Sequence, residues 1–184
     1  PAKLPPFVAP NKLVYRLADV LAAHKGKQSW QQHVFHSRDY DGADIGERTL
    51  NEVYLPPFHA TAQAGSGSFM AAFNAVDSVP MHANRQLMRG TLRDLWGWQG
   101  MMVSDWMGVA ELQSHGVAAS GPEAAALALA AGIDMDMSSQ LYLDGLRTAL
   151  ANDPALMPLL DDAVRRVLIA KERLGHFDGR YRGA

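Results

Sequence analysis

Apolar positions recur along the chain at two spacings. Lys12 to Ala23 places Leu13, Leu17, Val20 and Leu21 at helical intervals, which predicts an amphipathic helix after a start broken by Pro1, Pro5, Pro6 and Pro10. A second helix is expected from about Ile45 to Leu55, interrupted by Pro56-Pro57 and resuming from Phe58 to Ala64, where Gly65 and Gly67 end it. Asn84 to Trp96 has Leu87, Met88, Leu92 and Leu95 on one helical face. Pro122 to Ala131, Tyr142 to Ala151 and Leu159 to Leu174 complete the helices. In the last of these, Val164, Val167, Leu168 and Ala170 are expected inward and Arg165, Arg166, Lys171 and Glu172 outward.

Between the helices lie short apolar runs bounded by Gly and Asn: Ser68 to Phe73, Met101 to Val103, and Gly132 to Met137. These read as buried strands, with room for one more before residue 45. Phe69 to Met101 and Met101 to Ile133 are 32 positions each. A constant interval of strand and helix is the rhythm of successive parallel βα units. No Gly-rich phosphate loop follows any strand, so a barrel is favoured over a nucleotide-binding sheet. A closed (β/α)8 barrel takes eight strands and about 250 residues. The fold class is therefore α/β, read as the C-terminal portion of a TIM-type barrel.

The chemistry concentrates at Gly100 to Gly108, where Ser104, Asp105 and Trp106 follow the Met101–Val103 strand. A carboxylate at the carboxyl end of a buried parallel strand costs solvation energy, and in βα barrels that end carries the active site. Asp105 is the catalytic candidate. The competing reading is a helix N-cap, but Gly108 follows three residues later and no helix is expected before about Ala110. Asp134 and Asp136 alternate on the third strand opposite Ile133, Met135 and Met137 and read as structural groups. His115 and Glu111 are expected on a loop or helix surface.

Composition narrows the alternatives. The 184 residues suffice for one domain with a sizeable core. A formal net charge of -2 gives no electrostatic reason to expect nucleic acid or an acidic membrane as partner. Without cysteine, thiol catalysis, cysteine-ligated zinc and disulfides are excluded. His24, His33 and His36 match none of the strong zinc spacings and read as loop histidines. No run approaches the roughly 18 apolar residues of a membrane span. The first residues have no apolar signal-peptide core and no initiator Met, as expected of a processed chain or a piece of a longer one. A Schiff-base lyase on the same fold is disfavoured because no Lys sits at a predicted strand end.

Several blocks in order and at matching intervals carry a family resemblance. They are Glu47 to Phe58 (ERTLNEVYLPPF), Ser68 to Asn74 (SFMAAFN), Leu92 to Gly100 (LRDLWGWQG) leading into Val103-Ser104-Asp105-Trp106, and Ala131 to Met137 (AGIDMDM). The chain resembles glycoside hydrolase family 3, the β-glucosidase and β-xylosidase family, from about Arg38 to Tyr181. Asp162 to Phe177 resembles the helix that closes the family's first domain. The resemblance implies a poorly matched segment at 1–40, a partial barrel domain at 41–176, and a tail or linker at 177–184.

It implies a retaining exo-β-glycosidase of the β-glucosidase type acting on terminal β-D-glucosyl residues, with Asp105 as nucleophile. A retaining site needs a second carboxyl about 5 to 5.5 Å from the first. Arg38 matches a position that bonds sugar hydroxyls, its other reading being an ion pair with Asp39 or Asp41. Trp106 would supply an apolar wall beside the sugar, its other reading being an indole packed in the barrel. Met70 and Phe73 lie on the preceding strand, facing the same end, with Phe73 unable to donate the hydrogen bond that Tyr makes in many relatives. No metal or organic cofactor is implied.

Two departures stand out. The family's Lys-His doublet before the Arg38 block is absent, the region reading Gly26-Lys27-Gln28-Ser29-Trp30. The acid/base Glu of β-glucosidase relatives lies in an α/β sandwich domain beyond the barrel, which is expected as a missing partner. The histidine loop of the N-acetylglucosaminide branch is also not seen. Alternatives are a non-catalytic or truncated family fragment and a β-xylosidase or N-acetylhexosaminidase relative. The expected partner is an oligosaccharide or glycoside substrate, and the resemblance implies a periplasmic or secreted location.

Overall fold

The computed structural model describes residues 42–177. The helix expected over Lys12 to Ala23, His24, His33, His36 and Arg38 lie outside the described residues.

The central feature is a pair of parallel strands. β2 (Ser68–Met70) pairs in parallel with β5 (Met101–Val103), Phe69 opposite Met102, and Val103 forms a further parallel bridge to Met135. The third apolar run is thus reduced from the expected strand to that bridge and a few flanking bonds, Asp134 N–H to Met102 O and Ser104 N–H to Met135 O among them. The carboxylates of this run bond to other parts of the chain, which stops the ladder. The predicted strand before residue 45 is present as β1 (Gly42–Ala43), parallel to β3 (Ala75–Val76).

β3 turns back into β4 (Val79–Pro80) through Asp77 and Ser78, both at positive φ. Two consecutive positive φ values define the hairpin turn that matches strand twist. This hairpin is not apparent in the sequence because it lacks the Asn-Gly or Asp-Gly signal.

The first described helix, α1, runs over 47–63 without a break, contrary to the interruption expected at Pro56-Pro57. Prolines lack the donor and crowd the carbonyl four residues back. The chain meets this by widening the preceding turn, so that Leu55 N–H bonds to Leu50 O, five residues away. α2 (Gln86–Leu95) is wound in the same wide manner, and Trp96 N–H reaches Thr91 O. Met88 and Leu92 are buried as expected, but the wider turn swings Leu95 out to 76% exposure.

α3 (Gly108–Ser114) begins two residues before the expected Ala110, α4 is Gly121–Ala131, α5 is Leu141–Asn152 and α6 is Met157–Arg173. α4 starts at Ser120, whose hydroxyl accepts the Glu123 N–H, while Pro122 occupies the first turn. It is an alanine-rich helix between two cores. Ala124, Ala128 and Ala131 pack with Met88, Leu92, Met102, Val109, Leu112 and Ile133, and Ala125 and Leu129 pack with Leu146, Ala149, Leu156 and Ala163. Small side chains let helices approach closely: a Cβ on Gly145 of α5 would stand 3.2 Å from Pro122 Cα.

In α6 the inward face is not the one expected. Val164 and Leu168 are nearly half exposed, while Ala163 is buried and Arg166 turns inward. The reason is Asp134, whose carboxylate receives Arg166 and Arg93 together. The alternating pattern predicts one shared face for Asp134 and Asp136. Their partners differ, since Asp136 instead accepts the Ser139 hydroxyl and the Tyr142 N–H at the start of α5. The architecture is α/β, a succession of parallel βα units forming part of a TIM-type barrel.

Candidate active site

Asp105 sits two residues beyond the end of β5, half-buried, on a loop whose backbone is bonded on every side. The Ser104 hydroxyl donates to Asp105 C=O at 2.9 Å and accepts the Met137 N–H at 2.7 Å. Gly108 N–H also reaches Asp105 C=O, at 3.1 Å, and Met107 N–H bonds Met137 O. Ser104 is fully buried, so this hydroxyl acts as a structural tie between β5 and the Met135 run. Asp105 Oδ1 accepts the Trp106 N–H at 2.6 Å. Met107 then takes a left-handed φ of 58°, and α3 starts at Gly108. Asp105 caps none of the α3 amides with its carboxylate, as expected from the sequence.

The remaining anchor comes from elsewhere in the chain. His82, on the short turn after β4, accepts the Asp105 N–H at its Nε2, 3.0 Å away. The ring is 2% exposed, and burial lowers its pKa from 6.5 to about 4, against opposing pulls from Asp105 and Asp136 and with His115 adding to the lowering. Its seat depends on Gly108, because a Cβ there would lie 2.2 Å from Nε2. The Phe73 ring lies 6.3 Å from the imidazole, tilted by 44°. Sequence reasoning misses His82, which stands 23 positions from Asp105 with no recognisable spacing. The available signal is Gly108, a glycine at a helical position where no positive φ demands one.

The other expected residues divide. Trp106 is 62% exposed, so its indole packs in no core among the described residues. Met70, the last residue of β2, is 52% exposed. Phe73 has left the strand and lies beside His82, half-buried. Glu111 is expected on a surface, yet its Oε2 is buried with no hydrogen-bond partner among the described residues. Burial is the largest cause raising its pKa, Asp105 adding to the rise and His115 opposing it.

An apolar cavity of about 130 Å³ opens between α1, β2 and α2, lined by Leu55, Phe58, Phe69, Met70, Leu92 and Trp96. Asp105 is not among its walls, and sugar recognition needs convergent polar groups that it lacks. No three His, Asp or Glu side chains gather as a metal-binding group among the described residues. No described helix is long and apolar enough to cross a membrane.

The model of the glycosyl hydrolase family 3 N-terminal domain matches residues 25–170, beginning upstream of the Arg38 block. A periplasmic β-glucosidase of Salmonella typhimurium is 37% identical over 144 residues, 78% of this chain and 19% of that protein. A β-xylosidase of Formosa agariphila is 40% identical over 147 residues, 75% of this chain and 20% of that protein. Among solved structures, a β-glucosidase from Listeria innocua matches with a TM-score of 0.75 at 38% identity, over 79% of this chain and 20% of the other. The chain spans about a fifth of the length of these relatives. On the family match and these identities, the chain belongs to glycosyl hydrolase family 3 and carries part of its N-terminal domain.

Proposed function

We propose that this chain carries the nucleophile of a retaining exo-β-glycosidase of the β-glucosidase type. The observation that carries the reading is a half-exposed carboxylate just past the carboxyl end of a buried parallel strand, on a loop whose backbone is bonded at Asp105 N–H and C=O alike. That is the strand end at which barrel enzymes do their chemistry. Asp105 attacks the anomeric carbon, the glycosidic oxygen leaves, and water then cleaves the glycosyl ester. Trp106 offers an apolar wall to the sugar ring, with Met70 and Phe73 on the β2 side and Arg38 as a hydroxyl ligand. The reaction needs no metal or organic cofactor.

Departure of the glycosidic oxygen calls for an acid carboxyl about 5 to 5.5 Å from the nucleophile. We assign it to a second, α/β sandwich domain of the whole protein, within the length of the relatives that this chain does not span. The β-glucosidase names of the relatives support a β-glucoside as substrate, and the Salmonella relative's name supports a periplasmic location. A second reading, β-xylosidase, is favoured by the Formosa relative.

The test is intact-protein mass after incubation with 2,4-dinitrophenyl 2-deoxy-2-fluoro-β-glucoside, in parallel with the fluoroxyloside. Such a leaving group departs without acid assistance. One added fluoroglycosyl unit on the wild-type chain and none on Asp105→Asn is the expected result. An unlabelled chain of native circular dichroism would overturn the assignment, and preferential labelling by the xyloside would select the second reading.

A further inference from the structure

Successive N–H groups of a strand point to opposite neighbours. In β5 and its extension, Ser104 N–H points to the Met135 side and bonds Met135 O at 2.9 Å. The Asp105 N–H faces the β2 side. There the last ladder bond is Ala71 N–H to Val103 O, also 2.9 Å, after which the chain leaves the strand for the hairpin. No backbone carbonyl of β2 serves Asp105. The acceptor is instead His82 Nε2 at 3.0 Å.

We infer that His82 is a positioning residue for the nucleophile, its neutral imidazole replacing the missing strand carbonyl and holding the Asp105 backbone so that the carboxylate points in one direction. This rests on the reading of Asp105 as nucleophile. The other bonds to Asp105 come from its neighbours Ser104, Trp106 and Gly108, and the loop's further anchors, Ser104 and Met107 to Met135 and Met137, lie on the opposite side of the strand. His82 is delivered from the turn after β4, on the β2 side of the sheet, and so fixes the loop to a separate part of the scaffold.

Two features of the surroundings fit that role. The absence of a side chain on Gly108 leaves the space in which the ring reaches the amide. Accepting an N–H requires an unprotonated Nε2, and therefore the tautomer with hydrogen on Nδ1. Burial holds the ring in its neutral form through the neutral pH range. His82→Leu leaves the Asp105 N–H without an acceptor, whereas the amide oxygen of His82→Gln can take its place.

The test has two arms, both on the full chain. The first is a two-bond 15N–15N scalar coupling across the Asp105 N–H to His82 Nε2 bond in the wild type, which needs no variant. A resolved coupling is expected, and its absence in an assigned spectrum overturns the inference. The second is the rate of covalent labelling by the fluoroglycoside that labels the wild type. We expect His82→Leu to be slowed by about tenfold or more and His82→Gln to recover most of the loss, since small misplacements of a reacting group cost up to about 100-fold. Equal rates in wild type and His82→Leu would overturn the inference while leaving Asp105 as nucleophile. Failure of the wild type to label would sink the nucleophile assignment, and this inference with it.

Discussion

Asp134 Oδ2 accepts the Arg93 Nη2–H at 2.8 Å, with the carboxylate fully buried and the guanidinium 7% exposed. The same oxygen takes the Met102 N–H, and Arg166 approaches both carboxylate oxygens through Nε at 3.0 and 3.1 Å. Arg93 continues to Gly100 O and Gly132 O, and its guanidinium lies over the Trp98 ring. One carboxylate thus joins the start of β5, the Met135 run and two helices. It accounts for the short third strand, since an Asp134 side chain holding a β5 amide takes the place of a backbone carbonyl.

Removing this carboxylate should cost far more than a surface ion pair. Truncation to Asp134→Ala leaves two buried guanidinium groups uncompensated, and loss of one partner of a buried pair costs about 3–5 kcal/mol. The urea midpoint should fall accordingly. Asp134→Asn should lie between, keeping an acceptor for Met102 but no charge. A midpoint unchanged in Asp134→Ala would refute the clamp.

Gly108→Ala should destabilise the chain by about 1–3 kcal/mol, the usual cost of overpacking a filled site. The added Cβ must displace the His82 ring. Hydrogen exchange at the Asp105 amide should accelerate beyond what the global loss explains. Unchanged protection would show that the ring and the amide are not coupled through this contact.

Acid should weaken the fold through His82. Its folded pKa of about 4 lies below the unfolded 6.5, so the unfolded chain takes up the proton first. Stability from the neutral ring is therefore complete above about pH 6.5 and declines as pH falls towards 4, with no further loss below that. The loss is on the order of 3 kcal/mol. Denaturation midpoints across this range should show the slope in wild type and a shallower one in His82→Gln. Parallel slopes would assign the pH dependence to other groups.

Trp106→Ala should separate binding from stability. At 62% exposure the indole adds little to the fold, and the expected change in stability is within about 0.5 kcal/mol. A sugar packed on the ring should lose about 0.5–1.5 kcal/mol, taking an aromatic contact as the guide. The concentration of fluoroglycoside giving half-maximal labelling rate should rise by about 2- to 10-fold. No rise would remove Trp106 from the sugar site.

Much of this molecule is legible in consecutive residues. α4, α5 and α6 begin and end within two residues of the periodic pattern, because apolar spacing is a local property of the chain. The parallel pairing of β2 with β5 follows from the 32-residue rhythm. Asp105 stands out because a carboxylate follows an apolar strand. Pro56-Pro57 marks the right place in α1 but the wrong outcome, since the chain accommodates the prolines with a wide turn, Leu55 N–H bonding Leu50 O, and does not end the helix there.

Where distant partners meet is not written in any local pattern. The pattern puts Arg166 outward, yet Asp134 draws it inward from 32 positions away, because a buried carboxylate needs its charge paired and its oxygens hydrogen-bonded. The hairpin at Asp77-Ser78 carries no turn signature of its own, and it is this return of the chain that delivers His82 to Asp105. The periodicity and chemistry of neighbouring residues carry α4 to α6, the pairing of β2 with β5 and the nucleophile candidate. Only the packed chain decided which groups hold that candidate in place, because a hydrogen bond is fixed by position in space and leaves no period along the sequence.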